Sequence, residues 1–250
     1  MNYYGLTDIG KIRNENQDQI VITANGQDQI LGAVCDGMGG HNAGEVASRV
    51  AAEHILSSFR TIPFFNGENE IKQWLHETIT ECNNIIQRMA SNSPETKGMG
   101  TTVAITIVDK SNAYISHVGD SRVYMYNSRT FKQVTEDHTL VNELVQRGAI
   151  TKEAAKTHAQ KNVLTQAVGA DVLMSPSFYK VDITKYNLLI CSDGLYNCLD
   201  KKQIHTILKS KQTLNEIVKQ LIDDANDNGG KDNISAVVIT HDLGGNSNNE

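Results

Sequence analysis

Two apolar runs in this chain each lead into an aspartate followed directly by glycine, and this repeated pattern constrains the fold more than any other feature. Ile30-Leu31-Gly32-Ala33-Val34 runs into Cys35-Asp36-Gly37, and Leu188-Leu189-Ile190-Cys191 runs into Ser192-Asp193-Gly194. Each run reads as a buried strand. Each therefore delivers a carboxylate at a rigid strand end. Around Asp36, glycines follow at Gly37, Gly39 and Gly40, then His41, and Ala43-Gly44-Glu45-Val46-Ala47 starts a helix. Glycine lets the backbone turn sharply and lets other groups approach it closely. A carboxylate beside exposed backbone groups suits a metal or phosphate site. A plain strand-to-helix turn, with the aspartate as a cap, is the alternative reading.

The remaining elements follow from periodicity. Strands are expected at residues 3–8, 19–23 and 30–35, with Asn25-Gly26 as a hairpin signal between the second and third. Val46, Ala47, Val50, Ala51 and Ile55 lie at helical spacing over about 43–59. Ile71, Trp74, Leu75, Ile79, Cys82, Ile85, Ile86 and Met89 form one apolar stripe of a longer helix. Strands at 101–108, 113–118 and 122–126, separated by turn residues at 109–112 and 119–121, suggest an antiparallel meander, with a short strand after it near 131–134. Residues 140–163 change character: Leu140, Leu144 and Val145 suggest one helix stopped by Gly148, and Thr151-Lys152-Glu153 suggests the start of another. This insert reads either as a small flap over a site or as a plain helical connection. Strands return at 178–181, 188–191 and 234–240. Helix is expected from Leu195 through 209, and again along the stripe Leu214, Ile217, Val218, Leu221 and Ile222. The organisation expected is one domain over 1–241 and a polar, disordered tail over 242–250.

Bulk properties exclude several classes. With 250 residues, 39% hydrophobic and 21% charged, the chain can bury a sizeable core. Its formal net charge of −6 gives no sign of a nucleic-acid or membrane partner. No apolar run reaches the roughly 20 residues of a membrane span, and Met1-Asn2-Tyr3-Tyr4-Gly5 lacks the features of a signal peptide. A cytoplasmic location is expected. Cys35, Cys82, Cys191 and Cys198 have neither C-x-x-C nor zinc spacing, and read as buried free thiols. Cys82 to Arg88 fits C-x₅-R formally, but it sits inside the amphipathic stripe without a glycine and cannot form an anion-binding loop. The glycines after Asp36 fail the dinucleotide pattern, because Asn42 takes the third place.

The acids carry the chemistry. Asp36 and Asp193 end strands, Asp120 lies in Val118-Gly119-Asp120-Ser121-Arg122, Asp232 precedes the last strand and Asp18 sits in the first loop. Five such acids in a strand-rich chain suggest convergence on one sheet edge, where they would repel strongly unless a cation neutralised them. Oxygen-only ligation favours Mg²⁺ or Mn²⁺, and Arg13 can bind a phosphate through paired hydrogen bonds. The plainer readings are turn or cap for each aspartate and a solvated charge for Arg13.

Taken in order, these segments resemble the metal-dependent protein phosphatase family, type 2C, in its bacterial form. The matching residues are Arg13-Asn14-Glu15-Asn16-Gln17-Asp18, Asp36-Gly37-Met38-Gly39-Gly40-His41, Gly100-Thr101-Thr102, Val118-Gly119-Asp120-Ser121-Arg122, Asp137-His138-Thr139, Ala167-Val168-Gly169, Ser192-Asp193-Gly194-Leu195 and Asp232-Asn233. The resemblance implies an α+β fold: a β-sandwich of two antiparallel sheets flanked by helical layers, with the insert at about 140–163 as a flap. It implies hydrolysis of phosphoserine and phosphothreonine in proteins by a metal-bridging hydroxide, without a phosphoenzyme. By position, Asp36 bridges two ions, Gly37 offers its backbone carbonyl to one, and Asp193 and Asp232 complete the other. Asp18 holds metal-bound water, Asp120 with Asp193 serves a third ion often found in bacterial members, and Arg13 binds phosphate. Animal members carry a histidine after the Asp-Gly pair as the proposed general acid. Met38 stands there in this chain, which leaves His41 as the candidate proton donor. The partners implied are phosphorylated proteins, a bacterial Ser/Thr kinase and that kinase's substrates, acted on by a monomer. The competing readings are a catalytically silent phosphoprotein-binding module on the same fold and a two-metal hydrolase of small phosphate esters.

Overall fold

Strand β3 (Ile30–Met38) is apolar on both of its faces, and that sets the layer order. Side chains alternate across a strand, so Ile30 and Val34 point one way while Leu31, Ala33 and Cys35 point the other. The first pair joins a core with Ala104, Ile115, Leu188, Ile190, Val237 and Ile239, all strand residues. The second set joins a core with Ala47, Ala51, Ile55, Leu75 and Ile79, all helical. A strand buried on both faces belongs to the middle of a layered fold.

The computed structural model describes residues 1–39, 43–92, 94–170 and 174–241. His41 and the expected tail at 242–250 lie outside the described residues. Every strand pairing is antiparallel. One sheet contains β2 (Asp18–Ala24), β3, β5 (Val103–Asp109), β6 (Asn112–Val118) and β9 (Ser177–Asp182) in that order, with the short β4 (Gly100–Thr101) paired to the end of β3. The other contains β1 (Asn2–Asp8), β11 (Ile234–Thr240), β10 (Asn187–Cys191), β7 (Arg122–Tyr126) and β8 (Phe131–Gln133). Helices α1 (Ala43–Arg60) and α2 (Glu68–Asn92) cover the first sheet. Helices α5 (Asp193–Cys198), α6 (Lys201–Leu208) and α7 (Leu214–Asp227) cover the second, where Leu195, Ile204, Val218 and Leu221 meet Leu189, Cys191, Ala236 and Val238. This is the α+β sandwich with outer helical layers that the resemblance implies. Each large aliphatic side chain buried this way contributes about 1.5–3 kcal/mol. Among the described residues no helix is long and apolar enough to cross a membrane.

Three sequence expectations need correction. The run 113–126 is not a meander: β6 and β7 lie in different sheets, so Gly119-Asp120-Ser121 is a crossover between layers rather than a hairpin turn. Strand β3 does not stop at residue 35; Gly37 and Met38 remain extended because β4 pairs with them. The helix expected from Leu195 to 209 is two helices, broken at Leu199 and restarted by Asp200, whose carboxylate accepts from Lys202 N and Gln203 N in a capping box. The hairpin signalled by Asn25-Gly26 is present, β2 and β3 pairing up to Ala24 opposite Ile30; in its five-residue connection Asn25 Oδ1 accepts from Gln27 N and Gln29 N and Asp28 takes the left-handed conformation (φ 58°). The insert after β8 is helical as expected. Helix α3 (Leu140–Gln146) is capped by Thr139, α4 (Lys152–Thr157) is capped by Thr151, and Val141 is the buried residue in the pair.

Candidate metal centre

The two sheets bring their acids to one end of the sandwich. Asp18 starts β2 and lies directly opposite Asp36 across the β2–β3 ladder. Like charges placed so are destabilising unless something neutralises them. Asp193 reaches the same end from the other sheet. It is the first residue of α5, with Ser192 as N-cap, rather than the last of a strand. Asp120 sits in the crossover between β6 and β7, where Gly119 adopts φ 104° and packs against Thr102. Asp232 lies two residues before β11, with Asn233 between them.

The electrostatics tie these positions into one cluster. Burial pushes the Asp36 carboxyl well above its ordinary value, and Asp18, Asp193, Asp120 and Asp232 push it further. Burial, Asp120, Asp232 and Asp18 raise Asp193, while Arg13 opposes. Asp18 is raised to about 6, first by burial and then by Asp232. Asp120 is raised to about 6, by burial and Asp137. Asp36 and Asp193 thus feel the other acids through low-dielectric surroundings.

Backbone geometry holds the cluster in place. Asp36 N donates to Thr102 Oγ1 (3.0 Å), Thr102 N donates to Asp36 O (2.8 Å), and Thr101 Oγ1 donates to the same carbonyl (3.0 Å). Gly37 N donates to Gln17 O (3.0 Å). Gly37 and Gly44 pack face to face: a Cβ on Gly37 would collide with the Gly44 carbonyl, and one on Gly44 would come within 2.9 Å of the Gly37 carbonyl. That contact brings the first turn of α1 against the strand carrying Asp36.

Asp18 is 1% exposed. Its Oδ2 accepts from Ser192 Oγ (2.7 Å) and Ser235 Oγ (2.7 Å), both on the opposite sheet's side, while its Oδ1 is buried and receives no hydrogen bond. Arg13 lies at the rim, half-exposed, its guanidinium 2.8 Å from Asp232 Oδ2. Asn233 fixes the loop that carries Arg13: its side chain accepts from Gln17 N and donates to Ile9 O and Glu15 O, each at 2.9 Å.

Sequence reasoning missed this supporting set. Ser235 had a readable signal, being a polar residue at an inward position of β11 in register with Val237 and Ile239. Tyr196 had none. Its hydroxyl donates to Asp120 O (3.0 Å) and lies 3.3 Å from Asp120 Oδ2. Arg122, noted only as part of a motif, stacks on the Tyr196 ring and pairs with Asp137.

The donor set fits a hard divalent cation. Among the described residues no three His, Cys, Asp or Glu side chains are grouped so as to hold a metal ion as they stand. Yet Asp18 Oδ1 is an unpartnered buried acceptor, and the clustered carboxylates raise one another's proton affinity, the environment a bound cation relieves. Of the four cysteines expected to be buried, Cys198 is only half-buried; Cys35, Cys82 and Cys191 are buried, and burial pushes Cys35 well above its ordinary value and Cys82 and Cys191 up to about 12, which disfavours them as nucleophiles. Cysteine nucleophiles need the opposite shift.

Comparison with known proteins decides the family. The profile of Protein phosphatase 2C matches residues 12–238. The chain belongs to this family. It is 40% identical over 238 residues to the serine/threonine phosphatase stp of Listeria monocytogenes, covering 95% of this chain and 94% of that one. It is 33% identical to the protein phosphatase PhpP of Streptococcus pneumoniae, covering 94% and 95%. Among solved structures, the serine/threonine phosphatase Stp1 of Staphylococcus aureus superposes with a TM-score of 0.90 at 37% identity, covering 96% of this chain and 94% of that one. The serine/threonine phosphatase PstP/Ppp of Mycobacterium tuberculosis gives 0.84 at 29% identity, covering 96% and 99%. The family is metal-dependent.

Proposed function

We propose that this chain hydrolyses phosphoserine and phosphothreonine in proteins at a centre of two Mn²⁺ or Mg²⁺ ions, with room for a third. The gathering of Asp18, Asp36, Asp120, Asp193 and Asp232 at one end of the sandwich carries this reading: Asp18 faces Asp36 across the ladder, and Asp36 and Asp193 are each pushed up by the other acids, which a cation would relieve. Asp36 and the Gly37 carbonyl, Asp193 and Asp232 would hold the two ions, and Asp120 with Asp193 the third. When bound, the ions supply a nucleophile at neutral pH and neutralise charge on the phosphoryl oxygens.

The chain's own residues have distinct tasks. Ser192 and Ser235 occupy Oδ2 of Asp18 and leave Oδ1 free to accept a proton from ordered water. Arg13, half-exposed at the rim, orients the phosphate through its planar fork, and its link to Asp232 places that fork at the acid cluster. Burial keeps the thiols of Cys35, Cys82 and Cys191 protonated, which argues against any of them as a nucleophile. His41 is the candidate proton donor to the leaving oxygen. The insert at 140–163 serves as the flap that meets the protein substrate, and a Ser/Thr kinase of the same cytoplasm supplies that substrate to the monomeric enzyme.

The test is phosphate release from a phosphothreonine peptide with and without Mn²⁺. Asp36→Ala and Asp193→Ala should each abolish turnover, and parent activity should vanish in excess chelator. Full activity in chelator would overturn the reading.

A further inference from the structure

The crossover that carries Asp120 is braced from one side by a chain of aromatic and charged groups that no step above uses. Tyr196, on α5 three residues after Asp193, donates its hydroxyl to the Asp120 carbonyl at 3.0 Å and lies 3.3 Å from Oδ2 of the same residue. The Arg122 guanidinium lies over the Tyr196 ring, its central carbon 3.4 Å from the ring centroid. Arg122 is itself pinned: Nη2 is 2.6 Å and Nε 3.1 Å from Asp137 Oδ2, with Nε 3.0 Å from Oδ1, and Nη1 donates to Tyr124 Oη at 3.1 Å. Gln133 Nε2 donates to Asp137 Oδ1 at 2.8 Å, and Asn142 Nδ2, from α3, donates to the Asp137 carbonyl at 2.8 Å.

We propose that Tyr196 is a positioning residue for Asp120, and that the Arg122–Asp137 pair holds its ring in place and joins it to helix α3. A carboxylate in a crossover has rotational freedom that a strand residue lacks. A single phenol that donates to its carbonyl and lies beside its Oδ2 holds the residue from one side and leaves Oδ1 outside that contact. Cation–π stacking by a guanidinium that an acid already orients adds stiffness from the far side of the ring. The pinning extends to α3 through Asn142, so a change at the substrate-facing insert reaches Asp120 through four side chains. This proposal rests on the reading of Asp120 as a metal ligand.

The test is Tyr196→Phe, which keeps the ring beneath Arg122 and removes only the hydroxyl. Mn²⁺ binding is followed by calorimetry and by the electron paramagnetic resonance of the ion, and turnover by hydrolysis of a small aryl phosphate across Mn²⁺ concentrations. The expected result is unchanged binding of the two tighter ions, about tenfold weaker binding of the remaining one, and a matching shift in the Mn²⁺ needed for half-maximal rate, with kcat recovered at saturation. In a double-mutant cycle, Tyr196→Phe should add nothing to Asp120→Ala. Additive losses, or a Tyr196→Phe titration identical to the parent, would overturn the positioning role. Thermal midpoints of the metal-free variants within a few degrees of the parent separate this effect from lost folding; a large drop with additive loss assigns Tyr196 to general stability and overturns the proposal. An Asp120→Ala protein that binds the same ions with the same affinities would instead refute the metal role of Asp120, a distinct outcome.

Discussion

Removing one charge from the acid cluster should make the metal-free protein more stable. Asp18→Asn is the sharpest case, because Asp18 is almost fully buried and its carboxyl sits at about 6 against an ordinary 3.8. A raised folded value means that the folded state holds the proton more tightly than the unfolded one. Stability is then fully present below pH about 4 and is lost as pH rises through about 6. Each tenfold difference in proton affinity is worth about 1.4 kcal/mol, so the loss by pH 7.5 is roughly 3 kcal/mol. Asparagine carries no charge at any pH, and its carbonyl can still accept from Ser192 and Ser235. In chelator, the variant should match the parent near pH 4 and exceed it by up to about 3 kcal/mol at pH 7.5, or roughly 6–12 °C in midpoint for a chain of this size. Adding Mn²⁺ should reverse the order, since binding stabilises the parent in proportion to its affinity. Urea or thermal denaturation at the two pH values measures this. A variant less stable than the parent at pH 7.5 in chelator, or a gap equal at both pH values, would refute the electrostatic account.

Gly37→Ala should destabilise by at least about 3 kcal/mol, since its methyl would meet the backbone of Gly44 and Gln17, neither of which can move aside cheaply. Gly26→Ala, in open space, should change the same denaturation curve by less than about 0.5 kcal/mol. Exchanging residues 140–163 for the equivalent stretch of another family member should change rates on phosphoproteins more than on a small aryl phosphate; equal effects on both would deny the insert a role in substrate choice.

The long amphipathic stripe of α2 and the both-faces-apolar run of β3 were legible because local pattern and final packing agree there. The crossover at Gly119-Asp120-Ser121 was misread because its turn chemistry is that of a hairpin, and only the choice of partner strand, made by tertiary packing, sends β7 to the other sheet. The split between α5 and α6 hid for a similar reason: Asp200 acts through a cap, a signal covering few residues. Among the candidate residues, the aspartates could be singled out because five acids beside strands in one chain suggest a shared sheet edge, and Arg13 because its planar fork suits a phosphate. Ser192, Ser235 and Tyr196 could not, because a serine or tyrosine becomes informative only when its hydroxyl's partner is known, and those partners lie 76 to 217 positions away.

The loop that carries Arg13 is held by Asn233, and β1 is zipped to β11 along its whole length. During synthesis, the residues that grip this loop emerge more than two hundred positions after it. Helix α2 and the β5–β6 hairpin can form while the chain is still being made, but the acid cluster cannot close until β11 enters the middle of its sheet. The nascent chain therefore carries Arg13 on an unanchored segment until Asn233 and β11 have been made.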